Sequence, residues 1–98
     1  MYLKVHESYR KVVAICDSEL IGKKFEEGKM QLEVGEHFFK GEEIDEGKIV
    51  EMLRGLKMDD ATFNIVGEKA VKAGIESGLI SEENVGRVQG VPFALVLL

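Results

Sequence analysis

The apolar positions of this chain follow two periodicities, one typical of strands and one typical of helices. Residues 2–7 and 10–16 are rich in strand-forming side chains. Within the second segment, Val12 to Ile15 form an unbroken apolar run, which favours a strand that is covered on both faces. The remaining segments with strand character are 61–66, 85–88 and 93–98.

A hairpin is predicted over residues 31–39. The segment Gln31 to Val34 alternates between polar and apolar side chains, and the aromatic-rich His37-Phe38-Phe39 follows it. Gly35 lies between the two, at the predicted turn.

Two helices are indicated by apolar side chains that recur every three or four residues. The first is predicted over about 46–56, with Asp45 as its N-cap. The second is predicted over about 68–77 and ends before Gly78. An alternative interpretation begins this second helix earlier, with Asn64 as its N-cap. The apolar stripe of the first helix comprises Ile49, Met52, Leu53 and Leu56.

The order of these elements predicts an α+β protein with a single domain over residues 1–98. We expect two main helices packed on one mostly antiparallel or mixed sheet. A hydrophobic share of 45% and a charged share of 32% are ordinary for a soluble globular domain.

The single cysteine, Cys16, excludes an internal disulfide and fits a reducing compartment. No signal-peptide pattern opens the chain, and its longest apolar run, 93–98, is too short to span a bilayer. We therefore expect a cytoplasmic protein without a membrane segment.

The net charge of −5 is unevenly distributed. Residues 1–41 carry seven basic and seven acidic side chains, whereas residues 42–98 carry six and eleven. An acidic chain lacks the overall field that attracts nucleic acid. A local basic group around Lys23 and Lys24, in the segment Gly22-Lys23-Lys24-Phe25, has the composition of an RNA-contacting turn. The simpler interpretation is that these lysines protect the edge of a hairpin.

The junction between the strand 61–66 and the following helix is a candidate ligand site. Asn64, Gly67 and Glu68 lie there, and a helix N-terminus favours anions. Glu68 already supplies a negative charge in the first turn, which argues against phosphate. The structural alternative is a turn glycine beside an Asn that bonds the backbone.

Cys16 and Asp17 form a second candidate, a thiol next to a predicted capped turn over 17–22. A catalytic thiol also needs a base, and neither His6 nor His37 lies in a motif that would bring it to Cys16. The alternative is a buried small apolar residue. No ligand spacing for a metal is present, so neither a metal nor a cofactor is expected.

Four segments of the chain together resemble a known family. They are Cys16-Asp17-x-x-Leu20-x-Gly22-Lys23-x-Phe25-x-Glu27-Gly28, Phe38-Phe39-x-Gly41, Asn64-Ile65-Val66-Gly67-Glu68-x-Ala70-Val71 and Gly90-Val91-Pro92-x-Ala94. The family is the archaeal domain of unknown function 424, a set of small stand-alone proteins, and the resemblance covers essentially the whole chain. It implies an archaeal, cytoplasmic, single-domain protein, and it brings no established activity. Members often have His after Gly-Val-Pro, where this chain has Phe93, and this difference weakens any acid–base role at that position.

The leading hypothesis is a non-enzymatic binding or adaptor module linked to RNA or the translation machinery. Its expected surface joins the turn at Lys23 to the junction at Glu68. The rival is a small enzyme or small-ligand-binding protein that uses the Asn64-Gly67-Glu68 turn and Cys16. A further expectation is a homodimer through the apolar C-terminal strand. The expected ligand- or partner-binding residues are Asp17, Gly22, Lys23, Lys24, Asn64, Gly67 and Glu68, with no catalytic residue among them.

Overall fold

A computed structural model describes residues 1–97 of the protein. Leu98, the last residue of the predicted strand 93–98, lies outside the described residues. Short 3₁₀ turns at Ser18–Leu20 and Glu82–Asn84 join some of the elements. The elements are β1 (Tyr2–His6), β2 (Lys11–Cys16), β3 (Lys24–Glu27), β4 (Met30–Glu33), α1 (Glu36–Phe39), β5 (Glu42–Glu43), α2 (Glu46–Lys57), β6 (Ala61–Val66), α3 (Glu68–Glu76), β7 (Gly86–Val88) and β8 (Val91–Leu97).

The main sheet is mixed, with the strand order β5-β1-β2-β6-β8-β7. Within residues 1–97 its strands pair antiparallel, except for β2 and β6, which run parallel. The predicted α+β class with a mixed sheet is therefore confirmed. Because β2 and β6 are parallel neighbours, with Cys16 beside Val66, their C-terminal ends lie side by side. Asp17 and Gly67, which follow these two strands, are therefore close together.

Helices α2 and α3 pack on one face of the sheet and form the larger core. Alternate residues of β2 and β6 point towards the helices, as the period of two in a strand requires. Ile49 and Leu53 of α2 meet them, which confirms the predicted apolar stripe of this helix. The sheet residues at the centre of this core are Val13, Ile15, Phe63 and Ile65, all fully buried.

The hairpin β3–β4 and the short helix α1 cover part of the opposite face. Ala14, Cys16 and Val66 point to this side, where they pack with Val34 and Phe39. Strand β2 is therefore covered on both faces, as its unbroken apolar run predicted.

The prediction of a hairpin over 31–39 was wrong in its pairing. Residues 30–33 do form a strand, but its partner is the preceding strand 24–27, through a turn at Gly28. His37-Phe38-Phe39 instead form one helical turn, α1. This turn buries Phe39 and stacks Phe38 on His6.

The two main helices agree with their predicted bounds. The side chain of Asp45 accepts a hydrogen bond from the backbone N–H of Gly47 at 3.0 Å, so Asp45 is the N-cap of α2. Helix α3 begins at Glu68, which makes the alternative start at Asn64 wrong. Gly78 follows the helix with a φ of 80°, in agreement with its predicted role. Among the helices of residues 1–97, none has the length and apolar character needed to cross a membrane.

Candidate functional site

The carboxylate of Asp17 occupies the N-terminus of helix α3. Its two oxygens accept hydrogen bonds from the backbone N–H groups of Lys69 at 3.1 Å and Ala70 at 2.8 Å. The Asp17 side chain is buried, and this burial raises its pKa, although the two backbone bonds act in the opposite direction. Two N–H groups of the first turn are therefore satisfied by a residue 52 or 53 positions earlier in the chain.

Gly67 allows this close approach. Its φ is 112°, a value that L side chains rarely adopt, and a Cβ at this position would lie only 2.4–2.7 Å from the carboxyl atoms of Asp17. Its backbone N–H donates to the carbonyl oxygen of Pro92 at 2.9 Å. The strand–helix junction at Gly67 and the Gly90-Val91-Pro92 segment are far apart in the sequence. In the structure they are neighbours, and this hydrogen bond joins them.

Cys16 lies in the core rather than at a reactive surface. Its side chain is fully buried, and burial, together with the neighbouring Asp17 charge, raises its pKa to about 12. His6 lies at the other end of the β1–β2 pair, opposite Val12, while Cys16 is opposite Tyr2. The Nε2 atom of His6 is 2.8 Å from the carbonyl oxygen of Phe38. A thiolate nucleophile paired with this histidine is therefore not formed.

Asn64 lies within β6 and does not take part in the turn at Gly67. It is paired with Ala14 of β2 and Leu95 of β8, and its half-buried side chain points away from α2 and α3. Gly67 lies three residues further along the chain, a distance of about 10 Å in extended backbone. The structure therefore separates Asn64 from the residues with which it was grouped in the sequence.

Gly22, Lys23 and Lys24 form the exposed approach to β3. The backbone N–H of Gly22 donates to the carbonyl oxygen of Val34 at 2.7 Å, which extends the hairpin by one step. Lys24 lies 3.4 Å from Glu26 in an exposed ion pair, so a neighbouring carboxylate partly offsets its charge. The basic turn is therefore part of a hairpin that also carries several glutamates.

Arg87 and Gln89, which the sequence did not single out, connect this hairpin to helix α3. One guanidinium nitrogen of Arg87 lies 3.2 Å from Glu68 and donates to the carbonyl oxygen of Gly90 at 3.1 Å. Gln89 donates from its backbone N–H to Glu27 at 2.6 Å and from its side chain to the Glu26 carbonyl oxygen at 2.7 Å. The only local signal was the turn at Gly90, since the contacts with Glu68, Glu26 and Glu27 join residues far apart in the sequence.

A groove of about 740 Å³ lies between α3 and β7, and we call it the α3–β7 groove. Val71, Ile75 and Val85 provide its apolar surface. Its charged residues are three acids and three bases, so the groove has no net charge. The lining residues are Glu68, Lys69, Val71, Lys72, Ile75, Glu76, Glu82, Val85 and Arg87.

The electrostatics of the groove are local and paired. Glu68 pairs with Arg87, and Lys69 lies 3.9 Å from Glu46 of α2. Among the described residues, no group of three or more His, Cys, Asp or Glu side chains is arranged to hold a metal ion. The groove therefore offers apolar contact and a mixed charged rim, which suit a polypeptide better than a polyanion.

Comparison with known proteins gives a family and a fold. The model of the family described as "Protein of unknown function (DUF424)" matches residues 5–98. No curated protein matches the chain. An uncharacterized conserved protein from Methanopyrus kandleri has a crystal structure similar to this one, with a TM-score of 0.85 at 24% identity, covering 97% of this chain and 88% of that chain. At this identity the similarity shows the fold alone.

Proposed function

The chain belongs to the DUF424 family of proteins of unknown function, so we propose its function from its own surface. It is a non-catalytic, cytoplasmic binding module that holds an extended segment of another protein in the α3–β7 groove. The observation that carries the proposal is the groove itself, which joins an apolar surface on α3 to the outermost strand of the sheet. Extended peptides bind other folds in this way, by adding a strand beside a helix.

The backbone of β7 supports this mode of binding. The bond from Gly67 to the Pro92 carbonyl oxygen means that the polar backbone of Pro92 faces β6, away from β7. Arg87 is paired with Pro92, so this is a pair without ladder hydrogen bonds. The N–H and C=O of Arg87 consequently point out of the sheet, where an added strand can bond them.

The positions of Cys16 and Asp17 also favour binding over catalysis. The thiol of Cys16 is buried with a raised pKa, and the carboxylate of Asp17 is committed to α3. In an enzyme we would expect such groups to be exposed in the groove with their pKa values adjusted towards neutrality.

Charge favours a protein partner over RNA. The groove is neutral, and the hairpin with Lys23 and Lys24 also carries Glu26, Glu27 and Glu33. A polyanion gains affinity from a concentration of positive charge, and this surface intersperses both signs. The link to RNA or translation, expected from Lys23 and Lys24, remains a prediction, and the same experiment tests it.

The experiment captures partners from an archaeal lysate with tagged protein and compares Arg87→Pro with Arg87→Ala. Both variants lose the ion pair with Glu68, but only proline also removes the outward N–H. Proline is tolerated at an edge strand where the N–H faces outward, and circular dichroism checks that both variants are folded. We expect a ribonuclease-resistant protein to be retained by wild type and Arg87→Ala and lost by Arg87→Pro.

The control variant is Lys23→Glu/Lys24→Glu, which changes the predicted basic turn and leaves the groove intact. Retention of the protein partner by this variant supports the groove. Equal retention by Arg87→Pro and Arg87→Ala contradicts strand pairing at β7. Captured material that disappears with ribonuclease and with Lys23→Glu/Lys24→Glu would replace the proposal by the RNA-linked adaptor.

A further inference from the structure

Strand β8 extends beyond its outer neighbour. The last pair between β7 and β8 is Gly86 with Phe93, whereas the pairing of β8 with β6 continues to Leu97. Within the described residues 1–97, residues 94–97 therefore have a neighbouring strand on one side only. We call this segment the β8 overhang.

The alternation of backbone groups determines which atoms of the overhang are available. Pro92 faces β6, so Ala94 and Val96 also bond β6, because alternate residues of a strand point their polar groups the same way. The N–H and C=O groups of Leu95 and Leu97 point to the other side. Within residues 1–97, no backbone hydrogen bond outside the regular pairing reaches these groups.

The side chains of the same two residues are exposed apolar groups. Leu95 is 58% exposed and Leu97 is 71% exposed. Being two positions apart, they lie on the same face of the sheet. Backbone donors, backbone acceptors and apolar side chains are thus presented together along a short edge.

The overhang lacks the features that protect the opposite edge of the sheet. There strand β5 is only two residues long and carries Glu42 and Glu43. The overhang, residues 94–97, contains no charge and no proline. Edges of this kind are the ones that pair with further strands.

The absence of charge on the overhang favours a second copy of this chain as the partner strand. The overhang has no charged group with which to attract a charged partner segment. A second copy of this chain presents the same uncharged strip, so no like charges face each other at the junction, although each copy carries a net charge of −5. The strip is also self-complementary under a two-fold rotation, because an antiparallel pair of identical strands can be centred on one residue.

We propose that the protein forms a homodimer in which the β8 overhangs of two copies pair antiparallel about a two-fold axis at Val96. Leu95 of each copy then lies opposite Leu97 of the other and exchanges both backbone hydrogen bonds with it. The two leucines pack across the junction on one face of a continuous sheet. This dimer is independent of the α3–β7 groove and needs no other partner.

Sedimentation of the purified full chain over concentrations up to about 1 mM tests the dimer. We expect a monomer–dimer equilibrium, weakened at least about 100-fold in Kd by Leu95→Lys/Leu97→Lys, because two exposed apolar contacts per copy are lost and like charges then face each other. Met58→Lys is the matched control, since Met58 is an exposed apolar side chain, 87% accessible, that is not part of the overhang. It should leave the Kd unchanged.

Amide hydrogen exchange of the wild-type protein gives a second readout that needs no variant. The amides of Leu95 and Leu97 should exchange slowly at high concentration and faster on dilution, while the amide of Val96, which bonds β6, stays protected throughout. A monomer at every concentration overturns the proposal. So does a dimer that keeps its Kd in Leu95→Lys/Leu97→Lys and shows no concentration dependence at these two amides.

Discussion

Asp17 links the two parallel strands to the helix that follows the second one. It comes directly after β2, and its carboxylate caps α3 across the strand junction, where Gly67 leaves room for it. The position that a helix N-terminus offers to an anion is thereby filled by the protein's own side chain. Asp17 and Gly67, two of the expected binding residues, thus have a structural explanation, and a bound anion is not needed to account for them.

We expect Asp17→Asn to lower the free energy of unfolding by about 2 kcal/mol, measured by urea denaturation at pH 7. An amide places an NH2 group where the carboxyl has its second oxygen, so the backbone N–H of Lys69 or of Ala70 faces a donor and loses its partner. Glu19→Gln is the control, because it neutralises an exposed carboxylate two residues away. A loss of stability no larger than in Glu19→Gln would mean that the cap contributes little.

The pH dependence of this difference follows from the raised pKa of Asp17. Below the ordinary value of 3.8 the folded and unfolded states are both protonated at this group. Between 3.8 and the raised folded pKa, the folded state retains a proton that the unfolded state has lost, so stability falls as the pH rises through this window. Above the folded pKa the contribution is constant.

We therefore expect the stability advantage of wild type over Asp17→Asn to shrink as the pH rises from about 3 into this window and then to level off. Urea denaturation of both proteins across the range measures it, and subtracting the two curves removes the titration of the other carboxylates. An advantage that grows with pH would show that the two backbone bonds outweigh burial and lower the pKa of Asp17.

At the scale of elements, the sequence predicted what depends on local pattern. Helix α2 was located because its N-cap Asp45 and its apolar stripe lie within one segment. Strand β3 was missed because Lys24-Phe25-Glu26-Glu27 contains one apolar residue, and its pairing with β4 is established only in the folded hairpin. Helix α1 was assigned to a strand because three apolar or aromatic residues in a row have no decisive period.

The same distinction applies to the candidate site. Gly67 and Glu68 were located at a strand–helix junction, and the structure confirms that junction. The partners of this junction could not be inferred locally, since Glu68 meets Arg87, 19 residues later, and the first turn of α3 meets Asp17. Asn64 was placed at the turn because its side chain is typical of turns, although its strand neighbours determine its position.

At the scale of the whole molecule, one sheet supports two apolar layers. The helices cover one face, the hairpin and α1 cover part of the other, and β2 and β6 contribute side chains to both. Removing either layer would expose the apolar residues of these shared central strands to water. The two layers should therefore be stable only together, and an isolated two-stranded hairpin has little stability of its own.

We expect a single cooperative unfolding transition whose midpoint is lowered by substitutions in either layer. Leu53→Ala, in the helix layer, should cost about 2–5 kcal/mol, and Val34→Ala, in the hairpin layer, about 2 kcal/mol, since both side chains are fully buried. Circular dichroism at 222 nm follows the helices, and tyrosine fluorescence follows the second layer, because Tyr2 packs there while Tyr9 is fully exposed. Met58→Ala, at an exposed position, should leave the midpoint unchanged.

Coincident curves from the two probes in all four proteins, wild type and the three variants, are the expected result. A tyrosine transition at lower denaturant in Val34→Ala would instead make the hairpin layer a separately unfolding unit, and the shared strands would then not couple the two faces of the sheet.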